Sequence, residues 1–218
     1  TDAVIMDLEK SKVLCKAKSR TTHRDLSIGI RGAIDGLDPA FLGSIGVVAL
    51  SSTLATNSVV EGRGCRVGLV SIGCDYNNTL PADYSVRVTG GHGIHGEPAQ
   101  YLGEREAREF LESIRGKVEA VAISSFMSVR NPEHEIRVRD MAREILDVPA
   151  VCGFELSSEL GFNERTTTCV MNARLIPVME ELIRSVRSVL DERGVSAPLM
   201  ISRGDGSMMR DSFAKERP

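Results

Sequence analysis

Three mainly apolar runs, Arg66–Ile72, Ala120–Phe126 and Val148–Phe154, do most to limit what this chain can fold into. None alternates polar with apolar positions, so a strand built from any of them is buried on both faces, as in a largely parallel sheet. Ile45–Leu50 and Pro198–Ser202 read as two more such strands. Helical patterns lie between them. Glu104–Ile114 has amphipathic spacing, and Asn131-Pro132-Glu133-His134-Glu135 supplies a cap, a first-turn proline and acidic residues for a helix reaching about Leu146. A long helix is expected from about Thr168 to Glu192, stopped by Gly194 and kinked or divided at Pro177. This alternation predicts an α/β fold of mixed, mostly parallel sheets with flanking helices.

The first part of the chain is less regular. Ala3–Met6 and Lys12–Ala17 are β-like runs joined by a polar stretch suited to a hairpin. Asp25 is placed to cap a helix over Leu26, Ile28, Ile30, Ala33, Ile34 and Leu37. Ser58 and Glu61 have capping-box spacing, which predicts a very short helix from Ser58 that stops at Gly62 or Gly64. Residues 75–103 are rich in Gly, Pro and Asn, including Asn77-Asn78, Pro81 and the run Gly90–Pro98, with one strand around Ser85–Thr89. The expected organisation is therefore an α/β segment at 1–74, a loop-rich region at 75–103 and a second α/β segment at 104–218. A further soft boundary falls near Ser157–Glu164.

Composition removes several classes of function. A net charge of -3 over 218 residues leaves no basic footprint for nucleic acid and no polybasic patch for a membrane surface. The five cysteines, at 15, 65, 74, 152 and 169, contain no C-x-x-C pair, and their odd number fits reduced thiols. With no membrane-length apolar run and no leader pattern, a cytoplasmic address is expected. The chain opens inside an apolar run without an initiator Met, which reads as a fragment whose preceding hairpin partner is missing.

Four places carry candidate chemistry. Ser52-Thr53-Leu54-Ala55-Thr56-Asn57 follows a strand, where hydroxyls and a carboxamide would face the ligand crevice of an α/β sheet or simply satisfy a turn. Glu164-Arg165-Thr166-Thr167-Thr168, expected just before the long helix, either orients a polar substrate or starts that helix. Asp205-Gly206 is first a turn signal, with a phosphate-facing edge as its functional reading. His92 and His95, with Glu97, are metal-ligand types, but the glycines around them oppose a helical zinc site, so no metal is expected. Cys65 and Cys169 read as small core residues, and His134 as a solvated side chain on a charged helix. Neither a Walker-type G-x-x-x-x-G-K nor a dinucleotide G-x-G-x-x-G is present.

Residues 53–70, T-L-A-T-N-S-V-V-E-G-R-G-C-R-V-G-L-V, resemble the T-x-A-T-N-x-x-x-x-x-x-G-x-x-x-G-L-x pattern of the hydantoinase A/5-oxoprolinase family. N-P-E-H-E at 131–135, E-R-T at 164–166, N-A at 172–173 and P-V at 177–178 are similar to later stretches of the same family, in the same order. The resemblance implies an actin/sugar-kinase-like (ribonuclease H-like) ATPase architecture. Such enzymes open with a D-x-G-G-T-x-T-D phosphate hairpin, of which Thr1-Asp2 would be the tail. They continue past an R-P like Arg217-Pro218 into a second such hairpin. The nucleotide sits between the halves, so this chain would hold at most one wall and be inactive alone.

The implied reaction is ATP-dependent opening of a cyclic amide, 5-oxoproline or a hydantoin. Phosphorylation makes the ring carbonyl electrophilic to water, and Mg²⁺ neutralises the phosphates. The alternatives are an ATP-dependent ketone carboxylase subunit of the same fold and a non-catalytic scaffold subunit. Expected partners are the small cyclic amide, a second hydantoinase B-type subunit or domain, and further copies of the chain, with neither nucleic acid nor membrane among them. The residues expected to contact substrate or nucleotide are Asp2, Thr53, Thr56, Asn57, Glu164, Arg165, Asp205 and Gly206. No catalytic residue is assigned.

Overall fold

The computed structural model describes residues 1–22, 25–76 and 82–216. The turn signals Asn77-Asn78 and Pro81, and the pair Arg217-Pro218, lie outside the described residues. In chain order the elements begin with β1 (Asp2–Asp7), β2 (Lys12–Lys18), α1 (Leu26–Asp35) and, after a 3-10 turn at Pro39–Ser44, β3 (Val48–Leu50). They continue with α2 (Leu54–Val60), β4 (Val67–Ile72), β5 (Tyr84–Val88), α3 (Glu104–Ser113) and β6 (Ala120–Ser125). Then come α4 (Glu133–Leu146), β7 (Ala150–Cys152), α5 (Gly153–Leu156), α6 (Phe162–Glu192), β8 (Leu199–Ser202), β9 (Met208–Arg210) and α7 (Asp211–Glu216). The fold is mixed α/β with largely parallel sheets, as the apolar runs require.

Two compact units form among the described residues, one from Thr1–Ser52 with Met179–Lys215 and one from Thr53–Val178. In the second unit four parallel strands lie in the order β5-β4-β6-β7. Every residue of β4 and β6 is buried, because helices cover both faces of the sheet. Val70, Ile72, Val121 and Ile123 pack with Leu111, Ile114, Val138 and Met141 on one face. Val67, Leu69, Ala120 and Ala122 pack with Cys169, Val170, Ala173 and Ile176 on the other. The chain runs outward from β4 to β5 and returns past β4 to β6, so the winding reverses between β4 and β6. In open α/β sheets, ligand crevices form at the carboxyl ends beside such a reversal.

In the first unit, β1 and β2 form the expected antiparallel hairpin. Asp25 caps α1 by accepting from the Ser27 N–H at 2.9 Å. β3 pairs in parallel with β8, and β8 turns back into β9, a strand the sequence pattern did not reveal. Arg31 pairs with both carboxylate oxygens of Glu192, at 3.1 and 2.9 Å, and ties α1 to the end of α6.

Several expected boundaries moved. The Ile45–Leu50 strand shrinks to three half-exposed residues, since only Val48–Leu50 finds a parallel partner. The helix expected from Ser58 begins at Leu54, so Ser58 lies inside it, buried, and caps nothing. The Val148–Phe154 strand ends at Cys152, where Gly153–Leu156 turns into a short helix. Helix α4 starts after Pro132 instead of at it, with the Asn131 Oδ1 accepting from the Glu133 N–H at 3.0 Å.

The long helix begins at Phe162 and is not divided at Pro177. Proline has no N–H to give the carbonyl four residues earlier. That orphaned Ala173 carbonyl instead accepts from the Cys65 thiol at 3.4 Å, while the Arg174 carbonyl takes the Cys65 N–H at 3.1 Å. Cys65 and Cys169 are buried core residues, and all five cysteines are free. Burial pushes the Cys65 thiol up to about 11, so it is an inert thiol at neutral pH.

Candidate functional site

At the carboxyl end of β6 the second unit holds a buried polar network. Glu135, in the first turn of α4, is fully buried and accepts from the backbone N–H groups of Ser125 at 2.7 Å and Phe154 at 3.0 Å. Arg165, in the first turn of α6, is 1% exposed and donates to the carbonyls of Ser125 at 2.8 Å and Glu159 at 2.7 Å. The Thr166 hydroxyl meets the Ser124 hydroxyl and the Phe162 carbonyl, both at 2.7 Å. Burial raises the Glu135 carboxyl above its ordinary value, against the pull of these hydrogen bonds and of Arg165. The N-P-E-H-E and E-R-T stretches thus meet in one network that fixes the loop after β6. Nothing in the local pattern showed that Glu135 turns inward, because an acidic residue in a first helical turn normally faces solvent.

Beside this network lies a histidine pair. The loop after β5 crosses the carboxyl ends of the sheet, and the His92 N–H donates to the Phe126 carbonyl at 3.1 Å. The His92 ring is fully buried, with neither ring nitrogen hydrogen-bonded, and it lies 4.2 Å from the His134 ring, centroid to centroid. His134, expected to be solvated, is 7% exposed because the Gly90-Gly91 backbone closes over it. Its Nδ1 accepts from the Gly91 N–H at 3.0 Å. His95 is exposed, so the two candidate metal ligands His92 and His95 stand in opposite environments. Among the described residues no group of three His, Cys, Asp or Glu side chains gathers that could hold a metal ion.

Burial lowers the pKa of His92 against the nearby Glu133 and Glu97 carboxylates. For His134 burial again acts first, and the His92 ring second. Below the ordinary value of 6.5 the unfolded chain takes up protons that the folded one resists, so the pair destabilises the fold as pH falls. Glu135 acts in the opposite sense, since its raised folded-state pKa favours the fold in acid. In urea titrations from pH 6.5 down to about 5, His92→Phe should lose stability less steeply than the parent chain. Equal slopes would show that the pair does not titrate differently in the two states.

The other candidates fall into the two units. Asp2 opens β1 and pairs with Lys18 at 3.2 Å, both side chains mostly exposed. Asp205 and Gly206 form the tip of the β8–β9 hairpin, where the Asp205 Oδ1 accepts from the Ser207 N–H and hydroxyl. Those two bonds, the hydroxyl first, hold the Asp205 carboxyl below its ordinary value. In the other unit Thr53, Thr56 and Asn57 are exposed around the start of α2, and the Asn57 Nδ2 reaches the Thr53 hydroxyl at 3.4 Å. Glu164 and Arg165 lie inside α6, not before it. Glu164 is exposed and Arg165 buried, so successive residues face opposite ways. Thr166, Thr167 and Thr168 do not cap the helix; their hydroxyls bond back to the carbonyls four residues earlier.

Such a fold belongs to a class with solved relatives. The chain superimposes on the ATP-dependent caprolactamase from Pseudomonas jessenii with a TM-score of 0.80 and 26% identity, over 96% of this chain and 35% of that one. It matches nucleotide-free acetone carboxylase equally well, with a TM-score of 0.80 over 99% of this chain and 36% of that one, at 18% identity. With them it shares the actin-like ATPase fold that its sequence led us to expect. Residues 1–146 match the hydantoinase/oxoprolinase N-terminal region, and residues 165–218 match the hydantoinase/oxoprolinase domain. The chain belongs to the hydantoinase/oxoprolinase family. It is 29% identical to the caprolactamase subunit alpha of Pseudomonas jessenii, along all of this chain and 36% of that protein. It is also 29% identical to the acetophenone carboxylase gamma subunit of Aromatoleum aromaticum, over 88% of this chain and 32% of that protein. The chain therefore spans about a third of the length of these relatives, both of which are named as subunits. No helix among the described residues is long and apolar enough to cross a membrane.

Proposed function

We propose that this chain is part of an ATP-dependent hydrolase that opens a cyclic amide ring of the 5-oxoproline, hydantoin or lactam kind. The observation that carries this reading is its likeness to an ATP-dependent caprolactamase, in sequence along the whole chain and in structure over 96% of it. ATP would supply the phosphoryl group that activates the ring carbonyl, with Mg²⁺ neutralising the phosphates. The exposed hydroxyls of Thr53 and Thr56 and the Asn57 carboxamide fit contact with a phosphate or substrate oxygen. Asp2, Asp205 and Gly206 belong to the first unit and Glu164 to the second, each on an exposed edge open to ligand. Arg165, by contrast, serves as a buried support for the loop after β6. A second, B-type subunit and further copies of the chain complete the cytoplasmic assembly in this reading.

A ketone carboxylase is the second reading, favoured by the equal identity to the acetophenone carboxylase subunit. Phosphate release by the complete protein separates the two. Stimulation by one cyclic amide supports the hydrolase. Stimulation only by a ketone with bicarbonate transfers the assignment to the carboxylase. In the complete protein, Asn57→Ala should lower turnover at least tenfold with the melting temperature unchanged, because the side chain is exposed. Unaltered turnover would remove Asn57 from the site.

A further inference from the structure

An open groove of about 720 Å³ runs along the start of α4, beside the loop that leads into α3. It lies at the carboxyl edge of the parallel sheet, the edge at which open α/β sheets bind ligands, and its volume suits a small molecule. Tyr101, Leu102 and Ile136 give it apolar walls, and Tyr101 is 92% exposed. Glu133, Ile136, Arg137 and Asp140 line it from one face of α4, as their i, i+3, i+4, i+7 spacing requires.

The polar groups in the groove are unequally committed. Arg137 and Glu104 form a two-pronged pair, 2.9 Å at each prong, and neutralise each other. Asp140 sits 3.5 Å from the Arg139 guanidinium. The Glu133 carboxylate has no ion pair or hydrogen bond among the described residues. His134, more than nine-tenths buried, also lines the groove. Its Nδ1 is occupied as an acceptor by the Gly91 N–H, so the neutral ring carries its proton on Nε2. That Nε2–H has no partner among the described residues. Burial first, and the His92 ring packed against it second, hold the His134 pKa down and favour this neutral donor.

A neutral donor beside an unpaired carboxylate, between apolar walls, complements a group that is itself neutral, accepts at one atom and donates at the next. A secondary amide within a ring has that pattern. An anion would meet the Glu133 charge, and a cation would leave the His134 N–H unpaired. We propose that this groove binds the ring amide of the substrate, the His134 Nε2–H donating to its carbonyl oxygen and the Glu133 carboxylate accepting from its N–H. This assignment rests on the cyclic-amide reading of the chain and gives that substrate a binding place. His134 here holds the ring and is assigned no part in its chemistry.

The test titrates δ-valerolactam into the 218-residue chain and follows histidine ring nitrogens by long-range ¹H–¹⁵N spectroscopy. The His134 Nε2 signal should move saturably while that of exposed His95 stays. N-methyl-valerolactam, which lacks the N–H, should bind about tenfold more weakly. Tyr101→Ala, which cannot disturb folding from so exposed a position, should weaken binding at least threefold, as should Glu133→Gln. A stationary His134 signal at saturation, equal binding of piperidine, or full affinity in Tyr101→Ala would each overturn the proposal. Phosphate release by the complete protein keeps the two readings apart. Lactam stimulation with KM unchanged in Tyr101→Ala removes the groove and leaves the function. Lactam binding in the groove, with no cyclic amide stimulating release, keeps the groove and removes the function.

Discussion

Arg165→Met should lower the unfolding free energy of the second unit by about 3–5 kcal/mol, the usual cost of removing one member of a buried charged network. The guanidinium is the donor that the Ser125, Glu159 and Leu160 carbonyls share, and methionine offers them nothing. Its loss also leaves the fully buried Glu135 without its nearest compensating charge. Arg165→Lys should recover part of the loss, since an ammonium restores the charge but not a fork that spans β6 and the loop before α6. Urea denaturation followed by backbone hydrogen exchange in β6 and α4 measures the effect locally. A loss below about 1 kcal/mol would mean that water replaces the guanidinium at these carbonyls.

Gly73→Ala is expected to cost about 3 kcal/mol or more, through two effects that add. Gly73 has a φ of +79°, in the left-handed region that a side chain disfavours. A Cβ there would also lie 2.5 Å from the Gly90 carbonyl oxygen, a backbone atom that cannot rotate away. The two glycines bring the loops after β4 and β5 together beside the point where the winding reverses. Gly206→Ala is the control. Its φ is similar, +83°, but nothing lies within 4 Å of the new Cβ, so only the conformational cost of about 1 kcal/mol remains. Thermal melts of the two variants should therefore differ clearly, and equal shifts would show that the approach to Gly90 relaxes.

Both effects come from contacts between segments far apart in sequence, and such contacts mark the limit of what the sequence revealed. The apolar runs at 66–72 and 120–126 disclosed buried parallel strands because a sheet covered on both faces leaves no polar alternation. Asp25 announced its helix because its cap bond spans only two residues. The beginning of the long helix was misplaced by six residues. Thr166 to Thr168 carry a cap-like pattern, yet their hydroxyls spend it on carbonyls within the helix. The Pro177 break was overestimated, because the partner that satisfies the freed carbonyl, Cys65, lies more than a hundred residues away.

Local pattern, through periodicity and short-range capping, thus determined the α/β class, most strands and helices, and the motifs that place the chain in its family. Tertiary structure alone decided three other matters. It joined residues 1–52 to 179–215 in one unit. It turned Glu135 and His134 inward, although helix-start chemistry favours solvent there. It separated exposed Glu164 from buried Arg165, neighbours in one short motif. The physical reason is the same in each case: the direction a side chain faces is set by what other segments bury against it, and that information is not local.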